Sequence, residues 1–191
     1  MELLKERIIE AGSVVSDQVV KLDAILNHQV DPALIVEMGK EFARRFVESA
    51  PTKILTIESS GIPLAFAVAN ELGVPFVFAR RKKSVTMDEN MYCERVPSFT
   101  KGIVTDIMVS SQYITSNDRI LIIDDIIANG DAARGLIRIV ERSGAVLTGV
   151  GIAVEKAFQA GGRSIREQGI RTESLVTITS LENGTIHFAD C

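Results

Sequence analysis

With 191 residues and 46% hydrophobic content, the chain has the size and apolar share of one domain, with at most a small appendage. Its 21 Lys and Arg against 25 Asp and Glu give a formal net charge of -4, which argues against non-specific nucleic-acid binding, a task for a basic surface. Two cysteines, Cys93 and Cys191, have no metal-ligand spacing and read as free thiols of a reducing cytoplasm.

The first stretch, MELLKERIIEAG, is charged throughout, unlike a signal peptide, and no apolar run is long enough to span a membrane. The expectation is a cytoplasmic protein with neither membrane nor nucleic-acid partners. Residues 2 to 11 place Leu3, Leu4, Ile8 and Ile9 at helical spacing, and Gly12 ends the run. Residues 13 to 31 break that rhythm and read as an added lobe of short strand and turn, with Asn27 and His28 among apolar neighbours. Asp31-Pro32 then opens a helix, Asp as cap and Pro at the first helical position, running to about Ser49 on a stripe of Leu34, Ile35, Met38, Phe42 and Phe46.

Lys53 to Ile57 is the first core strand, followed by Glu58-Ser59-Ser60-Gly61 and a helix from about Pro63 to Leu72. Gly-x-Ser-x-Gly is absent, so a serine-hydrolase elbow is remote. Val74 to Ala79 is the second strand, and Arg80-Arg81-Lys82-Lys83 follows at once. Four cations at a strand's carboxyl end suit an anionic group, although a solvated basic turn has the same composition. Residues 84 to 118 lack a helix period; Val85 to Met91 and Val104 to Val109 are expected to pair as a long hairpin around Pro97 to Gly102, an ordinary surface hairpin or a cover over a site.

The most informative stretch is Arg119 to Glu141, RILIIDDIIANGDAARGLIRIVE. Ile120 to Ile123 reads as a buried strand, Asp124 and Asp125 follow, and Ala128-Asn129-Gly130-Asp131-Ala132 leads into a helix that Gly144 stops. In an open parallel sheet, ligands gather beyond the carboxyl ends of strands. A loop of small residues entering a helix lets backbone N–H groups and the helix dipole meet an anion. The carboxylates repel phosphate and suit hydroxyls or a divalent cation instead. A phosphorylated ribose satisfies both halves. Acidic strand ends also occur in response-regulator receivers and Mg²⁺-dependent phosphatases, but the pair, the five-residue loop and the helix in register make a stronger pattern. Asp131 is the misfit, a carboxylate inside a phosphate loop, and is expected to turn outward and cap the helix.

Val146 to Val154 is another strand, ending in Glu155-Lys156-Ala157-Phe158, with Gly161-Gly162 beyond. Lys156 is either a ligand group or a surface lysine paired with Glu155. Residues 163 to 169 suggest a short helix, and Leu175 to Ser180 and Thr185 to Phe188 are final strands around the hairpin signal Asn183-Gly184. Strands alternating with helices make the fold class α/β, a mainly parallel sheet flanked by helices.

IIDDIIANGDAA resembles the phosphoribosyl-pyrophosphate (PRPP) signature of type I phosphoribosyltransferases, and its ANG loop resembles the bacterial xanthine-specific branch of that family. The resemblance covers nearly the whole chain, with Asn129 where many members have Thr and Asp131-Ala132 in place of a common Gly-Thr pair. It implies one domain over 1–191, with 13–31 as a base-covering segment, 84–118 as a flexible hood and 119–144 as the PRPP-binding unit. It implies transfer of the phosphoribosyl group of PRPP to N9 of xanthine, giving XMP and pyrophosphate in purine salvage; guanine or hypoxanthine as acceptor, and a non-catalytic PRPP-sensing regulator of the same fold, are the alternatives. Under it Asp124 and Asp125 are catalytic; Ala128, Asn129, Gly130, Asp131 and Ala132 hold the 5-phosphate; Ser59, Ser60, Gly61 and Arg80 meet the pyrophosphate. Val20, Asn27 and Lys156 read the base, Phe158 lies near it, and Lys101 is a hood residue. It further implies Mg²⁺ carried mainly by PRPP, and a homodimer.

Overall fold

The computed structural model describes residues 1–81, 90–98 and 103–189. Lys82, Lys83, Lys101, Cys191 and the start of the expected first hairpin strand lie outside them. Among the described residues, no helix is long and apolar enough to cross a membrane.

In chain order the elements are α1 (Glu2–Ala11), β1 (Ser13–Ser16), β2 (Val19–Lys21), a π-helical turn (Asp23–Asn27), α2 (Pro32–Phe46), a 3₁₀ turn (Val47–Ser49), β3 (Lys53–Ile57), α3 (Gly61–Leu72) and β4 (Phe76–Ala79). Then come β5 (Met91–Ser98), β6 (Ile103–Ser110), β7 (Arg119–Ile127), α4 (Asp131–Ser143), β8 (Val146–Lys156), α5 (Gly161–Arg166), β9 (Thr172–Ser180), a 3₁₀ turn (Glu182–Gly184) and β10 (His187–Phe188). A six-stranded sheet has the order β10-β9-β8-β7-β3-β4. Every pair in it is parallel except β10 with β9. β1–β2 and β5–β6 form separate antiparallel hairpins.

β7 lies inside the sheet because its apolar residues alternate between two cores. Leu121 and Ile123 join α1, α2, α3 and the 13–31 lobe on one face. Ile120 and Ile122 join α4 and the β5–β6 hairpin on the other. The α2 cap is as expected: Asp31 Oδ1 accepts from the Ala33 and Leu34 N–H groups at 3.0 and 3.2 Å, ahead of Pro32 at the first helical position. Gly144, at φ 74°, stops α4 in the left-handed region.

Several boundaries differ from expectation. β7 runs on through Asp124 and Asp125 to Ile127, because the longer β8 continues the ladder with Asp124 opposite Ile152 and Ile127 opposite Glu155. β4 starts at Phe76 rather than Val74, and the last strand is only His187–Phe188. Pro97 is not in the hairpin's turn but within β5, opposite Val104; a two-stranded ribbon leaves alternate N–H positions unpaired, so it tolerates proline. The short helix begins at Gly161, two residues early, where its glycines seat against the loop after β7. Asn183 (φ 52°) and Gly184 (φ 73°) are both left-handed, which is what the Asn-Gly hairpin signal requires.

The β5–β6 hairpin is fixed to α4. Glu94 accepts from Arg138 Nε at 2.7 Å and Arg142 Nη1 at 2.9 Å. A Cβ on Gly135 would stand 2.6 Å from Val96 Cγ2 and 2.9 Å from Ile107 Cδ1, so any side chain here would push the hairpin's core residues away from α4. The same contact brings Val96 and Pro97 to the rim of the cleft described next.

Candidate active site

Because β3, β4, β7 and β8 are parallel neighbours, their carboxyl ends share one edge of the sheet. A cleft of about 210 Å³ opens there between Asp124, Arg81, Val96, Pro97 and the residues from Ile126 to Ala133. The expected acid pair and phosphate loop therefore converge in space as well as in sequence.

Asp124 and Asp125 are 5% and 7% exposed. Asp124 Oδ1 accepts the Asp125 N–H at 3.0 Å. Burial, and next the charge and hydrogen bonding of Asp125, push the Asp124 carboxyl well above the usual carboxylate range, against a weaker pull from Arg81. The oxygens of both carboxyls can accept hydrogen bonds from a pair of hydroxyls.

The loop turns at Gly130, whose φ of 82° places it in the left-handed region, and α4 begins at Asp131 with no side-chain cap on its first N–H groups. Asp131 does not cap the helix as expected. Its Oδ1 accepts from Arg134 Nη2 at 2.7 Å, an i,i+3 ion pair on α4.

Behind the acid pair lies the Ser59-Ser60-Gly61 loop. A Cβ on Gly61 would stand 2.9 Å from Asp124 Oδ1 and 2.2 Å from Thr56 Oγ1. Glycine is thus required for this loop to approach the acid pair. Thr56 Oγ1 is buried there with no hydrogen-bond partner among the described residues. Ser59 is exposed and Ser60 half-buried. Of the two arginines after β4, Arg81 faces the cleft, its N–H donating to Glu58 Oε1 at 2.6 Å and its Nε to the Glu58 carbonyl at 3.3 Å. Arg80 bridges to Met108 of β6 by backbone, and its Nε stands 3.8 Å from Glu58 Oε2.

At the end of β8, neighbouring side chains take opposite duties. Glu155, 4% exposed, accepts two bonds from the Arg166 guanidinium, one at 2.8 Å, and one from the Ser174 hydroxyl. Burial raises its pKa, but Arg166 and Ser174 outweigh that and hold it below the ordinary value. Lys156 is thereby free of Glu155; its Nζ donates to the Gln18 carbonyl at 2.9 Å, and half-burial lowers its pKa. That bond draws the β1–β2 turn over the end of β8. Val20 is 6% exposed and belongs to the core beneath this lobe, while Asn27 is exposed at the end of the π-helical turn. Phe158 is partly buried against the same core.

Residues 27–161 match the model of the phosphoribosyl transferase domain. The chain belongs to the phosphoribosyltransferase family. It is 56% identical over 188 residues to the xanthine phosphoribosyltransferase of Bacillus mycoides, covering 98% of this chain and 95% of that one. It is 55% identical to the xanthine phosphoribosyltransferase of Moorella thermoacetica, again over 98% of this chain and 96% of the relative. The adenine phosphoribosyltransferase of Thermoanaerobacter pseudethanolicus superposes with a TM-score of 0.75 over 91% of this chain and 99% of that one; at 19% identity this shows the shared type I fold alone.

Several parts of this phosphoribosyltransferase site went unread in the sequence. Arg81, and not the expected Arg80, lines the cleft, and a cluster of four cations does not say which will turn inward. Gly161 seats on the loop after β7, its N–H donating to the Ala128 carbonyl at 2.9 Å. The Gly161-Gly162 pair was a visible signal for such a close approach. Arg134, three residues after the misfit carboxylate on a helix, was legible from i,i+3 pairing.

Proposed function

We propose that the chain is a xanthine phosphoribosyltransferase, transferring the 5-phosphoribosyl group of PRPP to N9 of xanthine with release of pyrophosphate. The observation that carries this reading is the single cleft in which Asp124 and Arg81 face the loop from Ala128 to Ala132. The choice of xanthine rests on the curated relatives and on Lys156, whose ammonium favours a 6-oxo group over a 6-amino group.

In this reading the Ala128–Ala132 N–H groups and the start of α4 hold the 5-phosphate. Asp124 and Asp125 bind the ribose diol and stabilise the positive charge that develops on the sugar as the C1–O bond to pyrophosphate breaks. Ser59, Ser60, Gly61, Arg80 and Arg81 surround the leaving group. Lys156, Asn27 and the lobe carrying Val20 orient the base for attack from N9, which loses its proton as the N9–C1 bond forms. Most of the catalysis is positioning and charge stabilisation. The β5–β6 hairpin, whose Val96 and Pro97 line the cleft, serves as its hood and excludes water. The 13–31 lobe is the base-covering part of a single domain.

The donor set fits Mg²⁺ carried by PRPP. Mg²⁺ keeps most of its water or substrate ligands and needs only one or two carboxylates, which Asp124 and Asp125 would supply. Carried with PRPP, it would supply positive charge beside the pyrophosphate oxygens. The expected setting is the cytoplasm, where purine bases and PRPP meet.

The expected homodimer fits the open edge of the sheet. Phe66, Phe78 and Val36 are exposed beside the edge strand β4, which leads directly into Arg80 and Arg81. A second copy on this face would stand next to the cleft. Light scattering should return twice the chain mass, and a monomer at micromolar concentration refutes the dimer.

The function is tested by incubating the protein with PRPP, Mg²⁺ and, separately, xanthine, guanine, hypoxanthine, adenine and orotate. Pyrophosphate release should be fastest with xanthine. Preference for guanine or hypoxanthine would move the assignment within the oxopurines. PRPP binding without turnover of any base would favour a PRPP-sensing regulator.

A further inference from the structure

Phosphate loops work because their N–H groups face the anion and their carbonyls do not. This loop has two obstacles to that arrangement, its own carbonyls and the Asp131 carboxylate, and one side chain deals with both. Arg134 Nη2 donates to Asp131 Oδ1 at 2.7 Å and to the Asn129 carbonyl at 2.7 Å, while Nη1 donates to Ser164 Oγ at 3.0 Å. Ser164 Oγ in turn donates to the Gly161 carbonyl at 2.9 Å, and the Gly161 N–H donates to the Ala128 carbonyl at 2.9 Å. The carbonyls of Ala128 and Asn129 are both turned toward α5 and Arg134. A Cβ on Gly161 would stand 2.4 Å from the Ala128 oxygen and 2.6 Å from the Gly130 nitrogen, so α5 abuts the loop backbone directly.

We propose that Arg134 is a positioning residue for PRPP, which neutralises the carboxylate inside the phosphate loop and clamps the loop to α5. The role rests on the phosphoribosyl-transfer reading and specifies how a loop with an acidic residue accepts a phosphate monoester. Neutralisation uses the charge of Arg134. The clamp uses its planar fork, which meets three acceptors at once and which a lysine cannot reproduce. Without Arg134, the Asp131 carboxylate is released beside the bound phosphate and repels it.

The test is PRPP affinity by titration calorimetry with Mg²⁺, beside separate kcat and KM values, for R134Q, R134K and the double variant R134Q/D131N. R134Q should weaken PRPP binding about tenfold or more and raise KM for PRPP more than it lowers kcat. R134K, which keeps the charge and loses the fork, should weaken it less. Adding D131N to R134Q should recover at least about threefold in affinity, because the repelling charge is gone. A merely structural arginine gives no such rescue. Unchanged PRPP affinity in R134Q, or no recovery in the double variant, overturns the proposal. If R134Q fails to fold, R134K alone decides: weaker PRPP binding than wild type supports the fork's clamp on the Asn129 carbonyl and Ser164, and unchanged affinity refutes it. Wild-type protein that binds no PRPP would instead defeat the function itself, so the two failures are distinguishable.

Discussion

Replacing Asp124 by Asn should abolish turnover and make the folded protein more stable at neutral pH. The two effects have one cause. Asp124 is almost completely buried beside Asp125, so its charged form is disfavoured in the fold and its pKa lies well above the ordinary 3.8. A pKa raised in the folded state means that the fold binds this proton more tightly than the unfolded chain does. The stability linked to that proton is fully present below about pH 3.8 and is lost as pH rises through the raised folded value. Asn keeps an oxygen that accepts the Asp125 N–H and has no charge to desolvate. Calorimetry at pH 8 should therefore show D124N melting above wild type, by about 2–4 °C for each 1 kcal/mol relieved in a chain of this size. The gain should vanish toward pH 4. Turnover of xanthine should fall by at least about 10²- to 10³-fold, the usual cost of removing a group that stabilises transition-state charge. The double variant D124N/D125N should also fold and be inactive. A D124N protein that melts lower at pH 8, or one that keeps near-normal activity, contradicts this account of the acid pair.

The architecture was legible where local chemistry and the fold agree. The β-branched run before Asp124, the Asp31-Pro32 cap, the glycine stop at Gly144 and the Asn183-Gly184 turn each specify a backbone geometry by themselves, and each forms as read. The tight loop from Ala128 to Gly130 was legible for the same reason: small residues between a buried strand and an amphipathic helix leave few other conformations. What stayed hidden depends on partners distant in sequence. β7 extends past the acid pair only because β8 supplies partners up to Glu155. Pro97 sits in a strand only because β5 has no second neighbour in the sheet. Lys156 could not be separated from Glu155 by spacing alone. Arg166 and Ser174 claim the glutamate, leaving the lysine to reach across 138 positions to Gln18. Asp131 looked anomalous because its charge was read without Arg134, the partner one helical turn away.

Lys156 carries the second large expected effect. Its stem is half-buried at the end of β8, which lowers its pKa, and its ammonium already donates to the Gln18 carbonyl at 2.9 Å. A base presenting a 6-oxo group offers that ammonium another acceptor, whereas a 6-amino group offers a donor and is rejected. Replacing Lys156 by Met keeps the apolar stem and removes the donor. Because a hydrogen bond to a charged group contributes about 1.5–3 kcal/mol, kcat/KM for xanthine should fall about 10- to 150-fold. KM for PRPP should move far less, since the residues proposed to hold PRPP lie on β7, the loop after it and the start of α4 rather than on β8. Discrimination between xanthine and adenine should narrow by a similar factor. A lowered pKa also means that the lysine loses its charge at a lower pH than an exposed lysine, so wild-type kcat/KM for xanthine should decline on the alkaline side before pH 10.5, and K156M should lack that limb. If K156M instead raised KM for PRPP while leaving the xanthine preference intact, the lysine would belong to the phosphate side of the cleft, and the assignment of β8 to base recognition would fail.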